Sequence, residues 1–369
     1  MQIRPLNVWS YQEEYEEIRE EILNQVDSVF KSGQLILGNY VKEFESNFSK
    51  YIGHKFGIGV NSGTDAIFLA LKAIDVRHGD EIITVSNTAI PTVSAIVSSG
   101  AKPVFVDVKE DDYLIDEDQI KFSINKKTKA ILVVHLFGQC ANMDKILEIA
   151  DQSGIYVIED CAQSAGSSFN GKKSGSFGHL SAFSFYPTKL LGGYGDGGMV
   201  LTSNKKLSEK IRSLRMYGIK KNYYSELHGY NSRLDEVHAS ILNLKLKKLD
   251  KWILERRRIA EIYDSQLENI LITPKENKMN FHAYYVYVVR SPLRDKIMEN
   301  LKKSDIFLNI SYPFPIHLMK GYKRFGYKLG DLPNTEKLAK EIFSLPMYPQ
   351  LSNKDVLRVC SSIKSFYEN

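Results

Sequence analysis

A lysine beside a run of glycines is the first feature of this sequence that invites chemistry. In SAFSFYPTKLLGGYGDGG (residues 181–198), Lys189 follows an apolar stretch by four residues and precedes a glycine-dense turn. A lysine held in an enclosed site has its ammonium form disfavoured, and the free amine is a Schiff-base nucleophile. Glycines let a ligand approach the backbone closely. The other lysines read mostly as solvated surface charges. In IYVIEDCAQSAG (155–166), Asp160 ends an apolar run and Gln163 follows three residues later. Ligands of open parallel sheets bind beyond the carboxyl ends of strands. A carboxylate there can hold a cation such as a protonated ring nitrogen; the alternative is that Glu159 and Asp160 cap the next helix. In NSGTDAIFLALKAI (61–74), an apolar run leads into Ser-Gly-Thr and a helix opens. The amides of Gly63 and Thr64 then face whatever sits at the helix N-terminus, where the dipole favours an anion. Asp65 in the first turn fits ordinary helix-starting chemistry equally well.

Three separate stretches need a scaffold that brings their ends together. Between about residues 40 and 200, short apolar runs (57–60, 81–85, 103–106, 130–135, 155–160, 182–185) alternate with helical patterns such as 65–74 and 143–152. That alternation predicts crossover units and a mostly parallel sheet, with one more short strand at 199–201. A first amphipathic helix is expected over 11–31, with Ile18, Ile22, Val26 and Phe30 recurring every four positions. Helical patterns follow at 207–216 and 233–263. The segment 282–290 (HAYYVYVVR) reads as a strand of a second, antiparallel sheet, followed by helices over 294–303 and 354–366. The expected fold class is α/β, with a large domain over residues 1–245 and a smaller α+β domain over 246–369.

The 369 residues are 43% hydrophobic, 11% aromatic and 25% charged, which excludes collagen-like and largely disordered chains. Forty-nine basic against 44 acidic side chains leave +5, too mild to demand a polyanionic partner. The basic row Lys245, Lys247, Lys248, Lys251, Arg256, Arg257 and Arg258 is interleaved with Leu242, Leu246, Leu249, Trp252 and Ile253. It therefore reads as the solvated face of an amphipathic helix, and no nucleic-acid partner is expected. Cys140, Cys161 and Cys360 form no metal-type spacing and suit a reducing compartment. The start has no secretory pattern, and no run of about 18 apolar residues occurs, so a cytoplasmic protein without a membrane partner is expected. Gly193, Gly195 and Gly198 match a dinucleotide fingerprint, but the turn does not open a helix. Tyr186 and Lys189 stand three apart, where a dehydrogenase pair needs four. No histidine pair has metal-ligand spacing.

Taken in order, NSGTDA, EDCAQSAG, SFYPTK, GDGG, GYNSRLDEVHASIL, YPFPIH and FSLPMYP resemble the pyridoxal-phosphate-dependent nucleotide-sugar aminotransferases of fold type I. The similarity runs from the GQLILG loop (33–38) to the last helix. It implies a mostly parallel seven-stranded sheet between helices and pyridoxal 5'-phosphate as cofactor. Lys189 matches the lysine that bonds to the cofactor and shuttles the proton. Asp160 matches the carboxylate on the ring nitrogen, and Gln163 the contact to the ring hydroxyl. Gly63, Thr64 and Ser184 match the phosphate cradle. Asn231 matches an asparagine that reaches the phosphate from the neighbouring subunit, which implies a homodimer with a shared site. Many relatives carry an aromatic residue stacked on the ring where this chain has Ala89. Tyr186, Tyr312 and His317 are substrate-side candidates. The resemblance further implies L-glutamate as donor and a keto-sugar nucleotide as acceptor. It is closer to members acting on dTDP-3-keto-6-deoxyhexoses than to the 4-keto group. A small subset of relatives replaces the lysine with histidine and dehydrates instead, and Lys189 argues against that activity.

Overall fold

The computed structural model describes residues 4–368, and in it the apolar runs pair into one seven-stranded sheet. Its strands are β1 (Phe56–Val60), β2 (Glu81–Val85), β3 (Lys102–Val106), β4 (Thr128–Val134), β5 (Tyr156–Asp160), β6 (Leu180–Ser184) and β7 (Gly198–Thr202). Their order across the sheet is β1-β7-β6-β5-β4-β2-β3, and only β7 runs antiparallel to both its neighbours. Each expected run lies within two residues of a strand. The runs were continuous rather than alternating because both faces are covered. Along β4, Ala130 and Leu132 pack under the Gly63–Ala73 helix with Ala66, Leu69 and Ala70. Ile131 and Val133 face the Met143–Ser153 helix through Met143, Ile146 and Ala150.

A second hydrophobic cluster gathers Tyr263, Tyr287, Val289, Phe343, Leu345, Val356, Val359 and Ile363 around a two-stranded antiparallel sheet, β8 (Tyr287–Arg290) and β9 (Ile342–Leu345). Leu6 belongs to this cluster, bridging Ile306, and Val8 accepts the Met347 amide at 2.9 Å. The helix Leu249–Leu267 serves both bodies, giving Ile253 to the sheet side and Tyr263 to the second cluster.

Several elements differ from the sequence reading. The first helix spans Gln12–Ser32 and buries Ile18, Ile22 and Val29, while Phe30 stays exposed. At 3.6 residues per turn, repeated steps of four drift by about 40° each, so the buried stripe has moved to Val29 by then. The expected helix over 233–263 breaks into Glu236–Leu246 and Leu249–Leu267. The basic row is not a uniform solvated face either. Lys245 is buried and paired with Glu14 at 2.5 Å, and Arg256 is buried against backbone carbonyls. The strand expected over 282–290 is only Tyr287–Arg290. Ahead of it Tyr284 has a φ of 46°, and Ala283 and Tyr285 donate their amides to Gly138 and Phe137 at 2.9 and 3.1 Å. Among the described residues no helix is long and apolar enough to cross a membrane.

A buried ionic cluster secures the β1 edge. Glu45 takes Arg215 at 2.6 Å, Arg212 at 2.8 Å and the Gly59 amide at 2.9 Å, and both arginines also donate to β1 carbonyls. Glu45→Ala strands the Arg215 charge and is expected to cost about 3–5 kcal/mol in urea unfolding. Asp27→Ala, which breaks the exposed pair with Lys31, should leave the midpoint unchanged. Burial, with the nearby Arg257 charge, pushes His282 down to about 3. The unfolded chain therefore takes up this proton first, and its share of stability is lost as the pH falls from about 6.5 towards that value. His282→Gln should flatten the acid side of the melting-temperature profile, as scanning calorimetry between pH 6.5 and 4 would show.

Candidate active site

The carboxyl ends of β1, β2, β5 and β6 open onto a cavity of about 320 Å³, and the glycine turn that follows Lys189 closes one side of it. Gly63, Thr64, Asp160, Gln163, Ser184, Tyr186 and Lys189 all line it, so seven of the ten sequence-predicted residues converge.

One wall is a helix start. Ser62 caps Gly63–Ala73 by accepting the Asp65 amide at 3.1 Å. The amides of Gly63 and Thr64, in the first turn, have no intrahelical acceptor. A Cβ on Gly63 would stand 2.6 Å from that of Ser184, and one on Gly198 would stand 2.3 Å from the Ser62 carbonyl oxygen. Only glycine lets these elements meet, and the Ser184 hydroxyl is thereby brought beside the helix start.

Another wall is the end of β5, where adjacent carboxylates face opposite ways. Glu159 turns away from the ligand side and accepts the amides of Gly175, Phe177 and Gly178 at 2.6–2.8 Å. It also pairs with His135 Nε2 at 2.8 Å. His135 Nδ1 accepts the Ala141 amide, so the proton sits on Nε2. Burial would raise Glu159, but these bonds hold it below the usual carboxylate range. The ligating atoms of His135, Glu159 and Cys161 lie within 4.8 Å of one another, yet the first two are already committed to hydrogen bonds. Asp160 has fewer partners. Its Oδ2 accepts the Thr92 hydroxyl at 2.8 Å and its Oδ1 the Ala162 amide at 3.1 Å. Burial outweighs these bonds and the Lys189 and His135 charges, and Asp160 lies above its ordinary range.

Lys189 lies 3.5 Å from the Tyr285 hydroxyl and over the Tyr285 ring at 4.7 Å. The turned segment before β8 therefore delivers Tyr285 to the lysine. Gln163 accepts the Phe137 amide at 2.8 Å and donates to the Tyr312 hydroxyl. Tyr312 thus stands behind Gln163 rather than on the cavity wall, its phenol pushed up by burial.

His317 is corrected by the structure. It is fully buried, with Nδ1 2.8 Å from Ser86 Oγ and Nε2 3.1 Å from Glu336 Oε1. It ties the tail loop to the end of β2 and leaves no nitrogen for a substrate. Asn231 is exposed and bridges Met216, outside the cavity lining. Ala89 lines the cavity with its methyl group, and the only aromatic rings among the described lining residues are those of His135 and Tyr186. Thr88, Thr92 and Tyr285 were not anticipated. Thr88 and Thr92 lie within SNTAIPT, where nothing distinguishes a catalytic-site threonine from an ordinary one.

Pyridoxal phosphate fits these residues. The glycine-dependent helix start and the Ser184 hydroxyl suit a phosphate, a buried carboxylate with a free lone pair suits a ring nitrogen, and the Lys189 amine opens on the same space. The family model described as DegT/DnrJ/EryC1/StrS aminotransferase matches residues 16–364. A dTDP-3-amino-3,4,6-trideoxy-alpha-D-glucose transaminase of Micromonospora megalomicea subsp. nigra is 48% identical, covering 97% of both chains. A dTDP-3-amino-3,6-dideoxy-alpha-D-galactopyranose transaminase of Aneurinibacillus thermoaerophilus is 40% identical over 94% of this chain and 96% of that one. The crystal structure of S. venezuelae DesV, in complex with a ketimine intermediate, superposes with a TM-score of 0.97 at 36% identity, covering 100% of both chains.

Gly63→Ala forces the helix start away from Ser184. It is expected to raise the dissociation constant of pyridoxal phosphate by about ten-fold or more, the worth of one lost charge-assisted hydrogen bond, in an equilibrium titration of the apoprotein.

Proposed function

Because the chain belongs to the DegT/DnrJ/EryC1/StrS aminotransferase family and is a pyridoxal-phosphate-dependent sugar aminotransferase, we propose that it transfers the amino group of L-glutamate to C3 of a dTDP-3-keto-6-deoxyhexose. The product is the dTDP-3-amino-3,6-dideoxyhexose. The observation that carries the reading is the convergence of Lys189, Asp160 and the Gly63–Ser184 seat on one cavity. The choice of C3 is supported by two relatives whose names place the amine there on a dTDP-linked 6-deoxy sugar, although they differ at C4.

When bound, pyridoxal phosphate supplies a carbonyl that takes up the amino group and a ring that draws electrons from the neighbouring carbon. Lys189 holds the cofactor between turnovers. Its free amine would take the proton from the donor α-carbon and return it to the bound group, as a positioned base and then acid. Asp160 would accept the ring N–H and keep that nitrogen protonated. Gln163, its oxygen committed to Phe137 and its amide nitrogen to Tyr312, lines the cavity and would contact the ring hydroxyl. The Gly63 and Thr64 amides and the Ser184 hydroxyl take the phosphate. Tyr186, half exposed at the rim, meets the sugar. Asn231, exposed and outside the lining of its own cavity, reaches the partner's phosphate in a homodimer. Amino donor and keto acceptor use the same Lys189 in turn, which makes the cycle ping-pong. The setting is cytoplasmic.

L-glutamate added to the cofactor-loaded protein should bleach its yellow absorbance and release 2-oxoglutarate. Subsequent dTDP-3-keto-6-deoxyglucose should restore the colour and give a C3 amine by NMR. Failure with that acceptor and turnover of the 4-keto isomer would move the site of amination to C4. Lys189→Ala should keep its circular dichroism yet lose both the yellow band and turnover. Substantial residual transamination would remove Lys189 from the mechanism. Mixing Lys189→Ala with Asn231→Ala chains should recover part of the activity in mixed dimers, and no recovery would count against a shared site.

A further inference from the structure

The carboxylate of Asp160 ends a row of hydroxyls. Thr92 Oγ1 stands 2.8 Å from Asp160 Oδ2, and Thr88 Oγ1 stands 3.0 Å from Thr92 Oγ1. All three side chains are buried, and all three line the cavity. A hydroxyl has one proton to give, and an ionised carboxylate can only accept. With Asp160 ionised, Thr92 therefore gives its proton to Asp160, and Thr88 must give its own to Thr92. The row has a single direction. Were Asp160 protonated on Oδ2, that oxygen would become the donor and both hydroxyls would have to turn.

The placement is not ordinary helix chemistry. Thr88 and Thr92 flank Ala89, the N-cap of the Ile90–Ser98 helix, and Ala89 offers no side-chain cap. A threonine inside a helix usually returns its hydroxyl to the carbonyl four residues back. Thr92 gives its hydroxyl across to β5 instead. Together with the Ala162 amide on Oδ1, it holds the carboxylate in one orientation.

We propose that Thr92, aimed by Thr88, is a positioning residue for the transamination: it fixes which way the Asp160 carboxylate faces and keeps it ionised for the ring nitrogen. The proposal rests on the reading of Asp160 as the partner of that nitrogen. Other ionisable groups also face Asp160: the Lys189 amine, His135 already paired with Glu159, the Tyr312 phenol and the Cys161 thiol. Burial works against ionisation, and the Thr92 hydrogen bond is the largest single influence opposing it.

The test is the titration of Asp160 in the full-length apoprotein, read by infrared spectroscopy of aspartate-labelled protein and assigned by difference from Asp160→Asn. Thr92→Val keeps the shape and removes the hydroxyl. It should move the Asp160 midpoint up by about one pH unit or more, as expected for a hydrogen bond to a charged group. Thr92→Ser should titrate like the unaltered protein, a rescue that a purely structural role for the methyl group would not give. Pyridoxal phosphate affinity at neutral pH should fall about ten-fold in Thr92→Val, more steeply as the pH is lowered. An unshifted midpoint in folded Thr92→Val overturns the proposal. If that variant does not fold, Thr88→Val carries the test: a smaller upward shift supports the row and none overturns it. If Asp160→Asn binds the cofactor as well as the unaltered protein, the role of Asp160 itself fails, whatever the titration gives.

Discussion

A carboxylate buried at the end of a central strand is expensive, and the site is organised around keeping one charged. Asp160 is almost wholly removed from water and lacks the arginine or chain of amides that usually compensates such a group. Glu159, one residue earlier, shows the alternative. Three backbone amides and His135 surround it, and it lies below the usual carboxylate range while Asp160 lies above. The pleat of β5 sends these neighbours to opposite sides. The satisfied one anchors the loop of residues 175–178, and the under-satisfied one faces the cavity. A carboxylate left short of partners retains lone pairs for a ligand. A cationic ring nitrogen would complete its set.

The sheet makes this placement possible. Parallel strands β5 and β6 end side by side, putting Asp160 and Ser184 on the same edge. Antiparallel β7 then brings Gly198 back against Ser184 and over Ser62. With any side chain at position 63 or 198, the helix start could not sit against that edge. The glycines of the turn are therefore a consequence of topology: the chain must reverse after Lys189 and re-enter the sheet at close range.

Much of this was legible in the residues. Strands covered on both faces appear as short unbroken apolar runs, so the sheet could be read almost to the residue. Lys189, Asp160 and Gly63 stood out because each is an unusual residue for its place, at the end of an apolar run or the start of a helix. The parts that stayed hidden involve ordinary residues in unusual contacts. Thr92 looks like any threonine of an apolar helix, and its partner is 68 positions away. His317 looked like a loop histidine because its partner Ser86 is 231 residues distant, and no local pattern reports burial. The segment 282–290 alternates like a strand, yet its first half turns aside at Tyr284, which has a left-handed backbone without the glycine or asparagine that normally marks one.

That turned segment links the second cluster to the chemistry. Tyr285 reaches Lys189, and its carbonyl accepts from Arg256, as do those of Tyr284 and Met347. Arg256 is buried with no carboxylate in contact among the described residues, and burial lowers it to about 10. At neutral pH it is still charged, so the three carbonyls must stay converged on it. One guanidinium thereby clamps the strand entry, the tail after β9 and the tyrosine beside the Lys189 amine into one unit. The second cluster does more than cover the sheet. Through Arg256 its packing holds the Tyr285 backbone, and the Tyr285 ring in turn lies against the Lys189 amine.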